Sequence, residues 1–199
     1  MDYDFIVVGA GIAGASIAYE LAASGRVCLI EGEERPGMHT TGRSAALFAP
    51  SYGGREIRAI TRASQDFFDA PPPGFCDRPL LVDRGCMYVA RADQLESLDA
   101  MIDAVRASGG SLARMTTADA LAQIPLLRGD YVAAAALDID ARDIDVDALH
   151  QGFLRGAKAH GATLVTERWI RHAAYDAGRW TLDLGHRAIV AAQEGDQQL

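Results

Sequence analysis

Three glycines in the run VVGAGIAG have the type and spacing to bring a backbone against a phosphate: Gly9, Gly11 and Gly14. Between a strand and a helix, the first glycine of G-x-G-x-x-G permits a tight turn. The second leaves room for a pyrophosphate, and the third lets helix and strand pack closely. The phosphate then meets free N–H groups and the positive end of the helix, over Ala10, Gly11, Ile12 and Ala13. Glu31 stands 20 residues after Gly11, where an acid can hydrogen-bond a ribose hydroxyl. The competing reading is a plain strand–helix turn with Glu31 merely solvated. The context favours a dinucleotide site, because a strand precedes the glycines, a helix follows and an acid ends the second strand. The glycines alone do not choose between a nicotinamide and a flavin.

A second group of small donors follows at Thr40, Thr41, Gly42, Arg43, Ser44, Ala45 and Ala46. A helix start expected near Gly42–Ala46 would aim further N–H groups at an anion. In isolation TTGRS reads better as a capped surface turn; its distance behind the dinucleotide glycines favours the anion site. Tyr52 precedes Gly53-Gly54, which can hinge a loop, and by itself it reads as a turn tyrosine. In the acidic run Asp138, Asp140, Asp143, Asp145, Asp147, the stretch Asp143-x-Asp145-x-Asp147 copies the start of a calcium loop. Ala148 and Leu154 then stand where that loop needs a glycine and a bidentate Glu, so these are strand-end and cap carboxylates. The five histidines have no metal-ligand spacing, and no metal is expected.

The elements that must position these residues follow from local pattern. Asp4–Val8 is a β-branched run expected as a strand buried on both faces. Residues 12–24 form a helix with a small apolar face, ended by Gly25. Residues 26–31 give a second strand. Strand–helix–strand within thirty residues is a βαβ unit with parallel strands and a right-handed crossover. Helices are expected over 56–69, 92–108, from a Thr117 cap to Ile124, and over 146–160 behind an Asp145 cap. Strands are expected in 80–90, 131–139 and 162–184, the last around a turn at 176–178. PPPGF at 71–75 is a stiff linker. The polar ending AAQEGDQQL is expected to fray.

The whole chain sets outer bounds. With 199 residues, 49% apolar and 23% charged, it suits one domain or two small lobes. A net charge of −8, with 19 Lys and Arg against 27 acids, argues against nucleic acid as a partner. Cys28, Cys76 and Cys86 form no C-x-x-C, which fits a reducing compartment, so a cytoplasmic location is expected. No apolar stretch reaches the length of a membrane span.

The segment ERPGMHTTGRSAALFAPSYG, residues 34–53, resembles the second cofactor-contacting segment of FAD-dependent amine oxidoreductases of the D-amino-acid oxidase type. The resemblance is closest to the D-arginine dehydrogenase group. It continues through FFDAPPPGFCDRPLL and DIDVDALHQGFLRG, and so covers nearly all of residues 1–180. It implies FAD as cofactor, with Glu31 holding the adenosine ribose. Residues 40–46 would run beneath the pyrophosphate and flavin, and Tyr52 would lie over the substrate on a mobile loop.

The family's chemistry is hydride transfer from the α-carbon of an amine, giving an imine that water hydrolyses. A D-amino acid or related amine is the implied substrate, and no residue specifies the electron acceptor. Two family positions that help to bind a basic substrate match Leu47 and Cys86 here. A guanidinium needs a carboxylate partner, so a more apolar D-amino acid than D-arginine is expected.

The resemblance implies an α/β fold: a Rossmann-like FAD-binding lobe with an inserted, incomplete α+β substrate lobe. The expected division is 1–80 and 141–199 for the first lobe and 81–140 for the second. Family members continue well beyond this length. The chain is therefore expected to be an N-terminal half or truncated form, inactive by itself and prone to self-association through the incomplete lobe. The alternative is a non-catalytic remnant that binds FAD, only its ADP portion, or nothing. An NAD-dependent dehydrogenase would not need the TTGRS segment.

Overall fold

An uninterrupted apolar strand, a glycine turn and a helix of small residues open the chain in the computed structural model, which describes residues 2–185 and 188–192. The element order is β1 (Asp2–Tyr3), β2 (Phe5–Val8), α1 (Ile12–Ala22), β3 (Val27–Ile30), β4 (Leu47–Phe48), α2 (Arg55–Ala63) and α3 (Gln65–Asp69). There follow β5 (Leu81–Asp83), β6 (Cys86–Ala90), α4 (Leu95–Ala107), β7 (Ala113–Thr116), α5 (Thr117–Gln123), β8 (Ala134–Asp138) and β9 (Arg142–Ile144). The order closes with α6 (Val146–Ala159), β10 (Thr163–Val165), β11 (His172–Asp176), β12 (Arg179–Asp183) and β13 (Ala188–Ala192). The ending expected to fray, from residue 193 onward, lies outside the described residues.

Two compact units divide the chain. The first comprises Met1–Ala45, Pro73–Arg78 and Val146–Leu199; the second comprises Ala46–Pro72 and Pro79–Asp145.

In the first unit β2 and β3 pair in parallel, with Ile6 opposite Cys28, and α1 crosses between them as the βαβ reading requires. β10 adds in parallel on the other side of β3, giving the order β10-β3-β2. All four residues of β3 are buried. Successive side chains of a strand point to opposite faces. Val27 and Leu29 accordingly pack with Ala18, Ala22 and Ala157 of the helices. Cys28 and Ile30 pack with Leu182 and Ile189 of a second sheet, ordered β1-β13-β12-β11. Burial pushes the Cys28 thiol up to about 11, against a smaller opposing effect from a hydrogen bond with Tyr3. Helix α6 lies against α1 at Gly156 and against the segment carrying Phe75 at Gly152, one turn apart. A Cβ at Gly156 would run into the Tyr19 ring, and one at Gly152 into Phe75. Tyr19, Phe75 and Phe153 meet edge to face there.

The second unit holds two three-stranded antiparallel sheets, β4-β9-β5 and β6-β8-β7. Helix α4 closes one face with Leu98, Ile102 and Val105 against Ala90, Ala134 and Ala136. The buried Asp138 accepts hydrogen bonds from Ser51 N and Ser51 Oγ and from Asp140 N, and Ser51 Oγ is 3.1 Å from the Tyr88 hydroxyl. Burial raises the Tyr88 hydroxyl above its ordinary range.

Several expected elements are altered. No helix starts at Gly42–Ala46: turns run to Arg43, and Ala46 sits at φ 55°, a left-handed backbone that cannot begin an α-helix. The 56–69 helix is two helices meeting at Ser64. The strand over 131–139 shortens to β8, because the chain turns through Tyr131 before pairing begins. The cap of α5 is Thr116, not Thr117, with Asp119 completing a capping box.

Candidate functional site

The glycine turn is built as its spacing demands. Gly9 takes φ 88°, a conformation that L side chains rarely adopt, and its N–H donates to Ile30 O at 2.7 Å. The backbone then enters α1 at Gly11. A Cβ at Gly14 would overlap the carbonyl oxygen of Gly9, so the first turn of α1 rests directly on the loop. A Cβ at Gly11 would stand 3.1 Å from Thr41 Oγ1.

Two side chains from elsewhere in the first unit converge on this turn. Glu31, just past the end of β3, accepts a hydrogen bond from Ala10 N at 2.9 Å on Oε2 and from Glu33 N at 3.1 Å on Oε1. A carboxylate has about four acceptor positions, so two remain for hydroxyl groups. Thr41 Oγ1 accepts from Ile12 N at 2.9 Å. The first N–H groups of a helix have no acceptor within it, and the Thr41 hydroxyl satisfies one at the position where a phosphate oxygen would bind. The loop carrying Thr41 is itself closed by Gly42 N donating to Gly37 O at 2.8 Å and Arg43 N donating to His39 O at 3.1 Å.

His150 is a site residue that sequence reasoning missed. It is buried on α6, and its Nε2 lies 2.8 Å from Ala10 O. A carbonyl only accepts, so Nε2 carries the proton. A Cβ at Gly37 would stand 2.9 Å from the same ring. His150 thus braces both the glycine turn and the Thr41 loop. Its one sequence signal is its place beside Ala148 and Leu149 on the inward face of an amphipathic helix.

Gly9, Ala10, Gly11, Ile12, Ala13, Gly14, Glu31 and Thr41 therefore lie together. Thr40, Gly42, Arg43, Ser44 and Ala45 belong to the same unit and are exposed, whereas Ala46 and Tyr52 belong to the second unit. Tyr52 is 65% exposed, after Ala49 O accepts from its N–H and before Gly53 at φ 81°. Among the described residues no group of three or more His, Cys, Asp or Glu is placed to hold a metal ion. Nor is any helix among them long and apolar enough to cross a membrane. A cavity of about 830 Å³ lies elsewhere in the first unit, lined chiefly by apolar residues such as Phe5, Ile6, Leu21 and Trp180. It shares no residue with the glycine turn.

The donor set suits an adenine dinucleotide: glycines that leave space, helix N–H groups for a pyrophosphate, and a carboxylate for a ribose. Comparison with known proteins agrees. The family model for FAD dependent oxidoreductases, DAO, matches residues 4–196. Glycine oxidase from Geobacillus kaustophilus superposes with a TM-score of 0.80 at 20% identity, covering 96% of this chain and 53% of that one. L-proline dehydrogenase from P. horikoshii gives 0.80 at 19%, covering 94% and 50%. L-alpha-glycerophosphate oxidase from Mycoplasma pneumoniae, solved with FAD bound, gives 0.81 at 14%, covering 95% and 52%. These likenesses establish an α/β fold with a parallel βαβ sheet, and the chain spans about half the length of each. The chain belongs to the DAO family of FAD dependent oxidoreductases.

Proposed function

We propose that this chain is the FAD-holding half of an oxidoreductase that acts on D-amino acids or related amines. The observation that carries the reading is the convergence of Glu31 and Thr41 on the Gly9–Gly14 turn. The turn and the start of α1 would hold the pyrophosphate, and Glu31 the ribose. Residues Thr40–Ala46 would run along the cofactor toward its flavin end. When bound, FAD supplies a two-electron acceptor for the α-hydrogen of an amine. Tyr52, on its exposed loop, would cover the substrate. Leu47 and Cys86 carry no charge to meet a guanidinium, which favours an apolar D-amino acid over D-arginine.

Because the chain spans about half of its relatives, the assigned activity is that of the complete enzyme. A non-catalytic protein that keeps only the ADP portion of FAD is the second reading, favoured by the same span. Calorimetric titration with FAD, ADP and NAD tests the proposal. FAD should bind at least ten-fold more tightly than ADP if residues 40–46 engage the flavin end. Equal affinities would support the second reading, and preference for NAD over FAD would defeat both.

A further inference from the structure

Sequence reasoning left Trp169 without a role, yet the structure sets it beside the ribose-binding end of the site. The segment 165–169 is laced to residues 31–33 by three backbone hydrogen bonds: Glu31 N to Val165 O at 2.8 Å, Glu167 N to Glu33 O at 3.0 Å, and Arg168 N to Glu31 O at 3.0 Å. Glu167 takes a left-handed φ of 55° between the last two, which turns the chain and delivers Trp169 to Gly32. A Cβ built on Gly32 would lie 2.8–2.9 Å from three indole atoms, Cε2, Cδ2 and Cζ2. Near-equal distances to three ring atoms mean that one face of the indole rests on the Gly32 backbone. Yet 67% of the residue is exposed. A large apolar ring held on one face and open to solvent, next to Glu31, has the form of a stacking platform.

We infer that Trp169 stacks on the adenine of the bound nucleotide. The assignment rests on the proposed function, since it needs a nucleotide whose ribose is held by Glu31. It deepens that reading by naming the residue that recognises the base. Every base presents a π-face, and stacking on an aromatic side chain strengthens nucleotide binding substantially. Gly32 belongs to the same device, because a side chain there would push the indole out of place.

The chain has two tryptophans, so a Trp180→Phe background isolates the emission of Trp169. ADP is titrated into that background by calorimetry and by tryptophan fluorescence, with ribose 5-phosphate as the ligand that lacks a base. The expected result is quenching of Trp169 with the same midpoint as the ADP heat, and no quenching by ribose 5-phosphate. Trp169→Ala should weaken ADP binding about ten-fold and leave ribose 5-phosphate unchanged. Trp169→Phe, which keeps a ring, should restore most of the affinity and serves if the alanine variant does not fold. ADP heat without a change in Trp169 emission, or unaltered ADP affinity in both variants, overturns the stacking role while the nucleotide site stands. No heat with either ADP or FAD overturns both.

Discussion

A methyl group at position 14 has nowhere to go, because it would overlap the carbonyl of Gly9. Gly14→Ala should therefore destabilise the fold by about 1–3 kcal/mol, as read from urea unfolding. Gly11→Ala meets only the Thr41 hydroxyl, at 3.1 Å, and a shift of a few tenths of an ångström relieves the contact while its bond from Ile12 N is kept. Its stability should stay near that of the wild type while FAD affinity falls at least ten-fold. Equal loss of stability in both variants would remove the distinction drawn between a packing glycine and a phosphate glycine. Cys28 offers a check on burial: its thiol is pushed up to about 11. A disulfide reagent at pH 8 should label the half-buried Cys76 and Cys86 first and Cys28 only in denaturant. Gly9, Gly14 and Glu31 were legible because their spacing is fixed within one βαβ unit. His150 was not, because its bond to Ala10 joins residues 140 apart in sequence, and no local pattern reports such a partner.

At the scale of elements, β2, α1 and β3 follow from apolar runs and a glycine turn, all of them local signals, although β2 is exposed at Phe5 and Val8 and not buried on both faces as its apolar run led one to expect. The helix expected after Thr41 fails for an equally local reason that residue type does not announce: Ala46 adopts a left-handed backbone. The start of α5 is held by Thr116, whose hydroxyl accepts from Asp119 N at 3.2 Å while Asp119 accepts from Thr116 N at 3.1 Å. Thr116→Ala should cost about 1 kcal/mol in urea unfolding, and an unchanged midpoint would show that the cap contributes nothing.

The loop ahead of β2 is tied to that ahead of β3 by Asp4 and Arg26. The Arg26 guanidinium, and after it the Arg26 backbone N–H, hold the Asp4 carboxyl down at about 2. A lowered folded value contributes stability in full above the ordinary carboxyl range and loses it as pH falls through about 2. The wild-type urea midpoint should exceed that of Asp4→Asn at pH 7, with the gap closing toward pH 2. A gap that is constant across this range would contradict the assignment.

At the scale of the whole molecule, large apolar side chains remain in water. Leu126 is 95% exposed and Ile139 75% in the second unit, and Val8 is 63% exposed in the first. Such surface drives association when it is contiguous. Light scattering should give a mass that rises above one chain with concentration, and a monodisperse monomer at all concentrations would count against self-association. The family and the cofactor lobe were legible because their motifs lie in order along the sequence.

The central claim is that the Gly9–Gly14 turn, Glu31 and Thr41 together make a working FAD site. Its most direct test is the visible absorption spectrum of the chain after incubation with FAD and desalting. Flavin bands near one equivalent per chain should be retained, and lost in Glu31→Ala; a colourless protein after desalting would show that these residues do not make an FAD site.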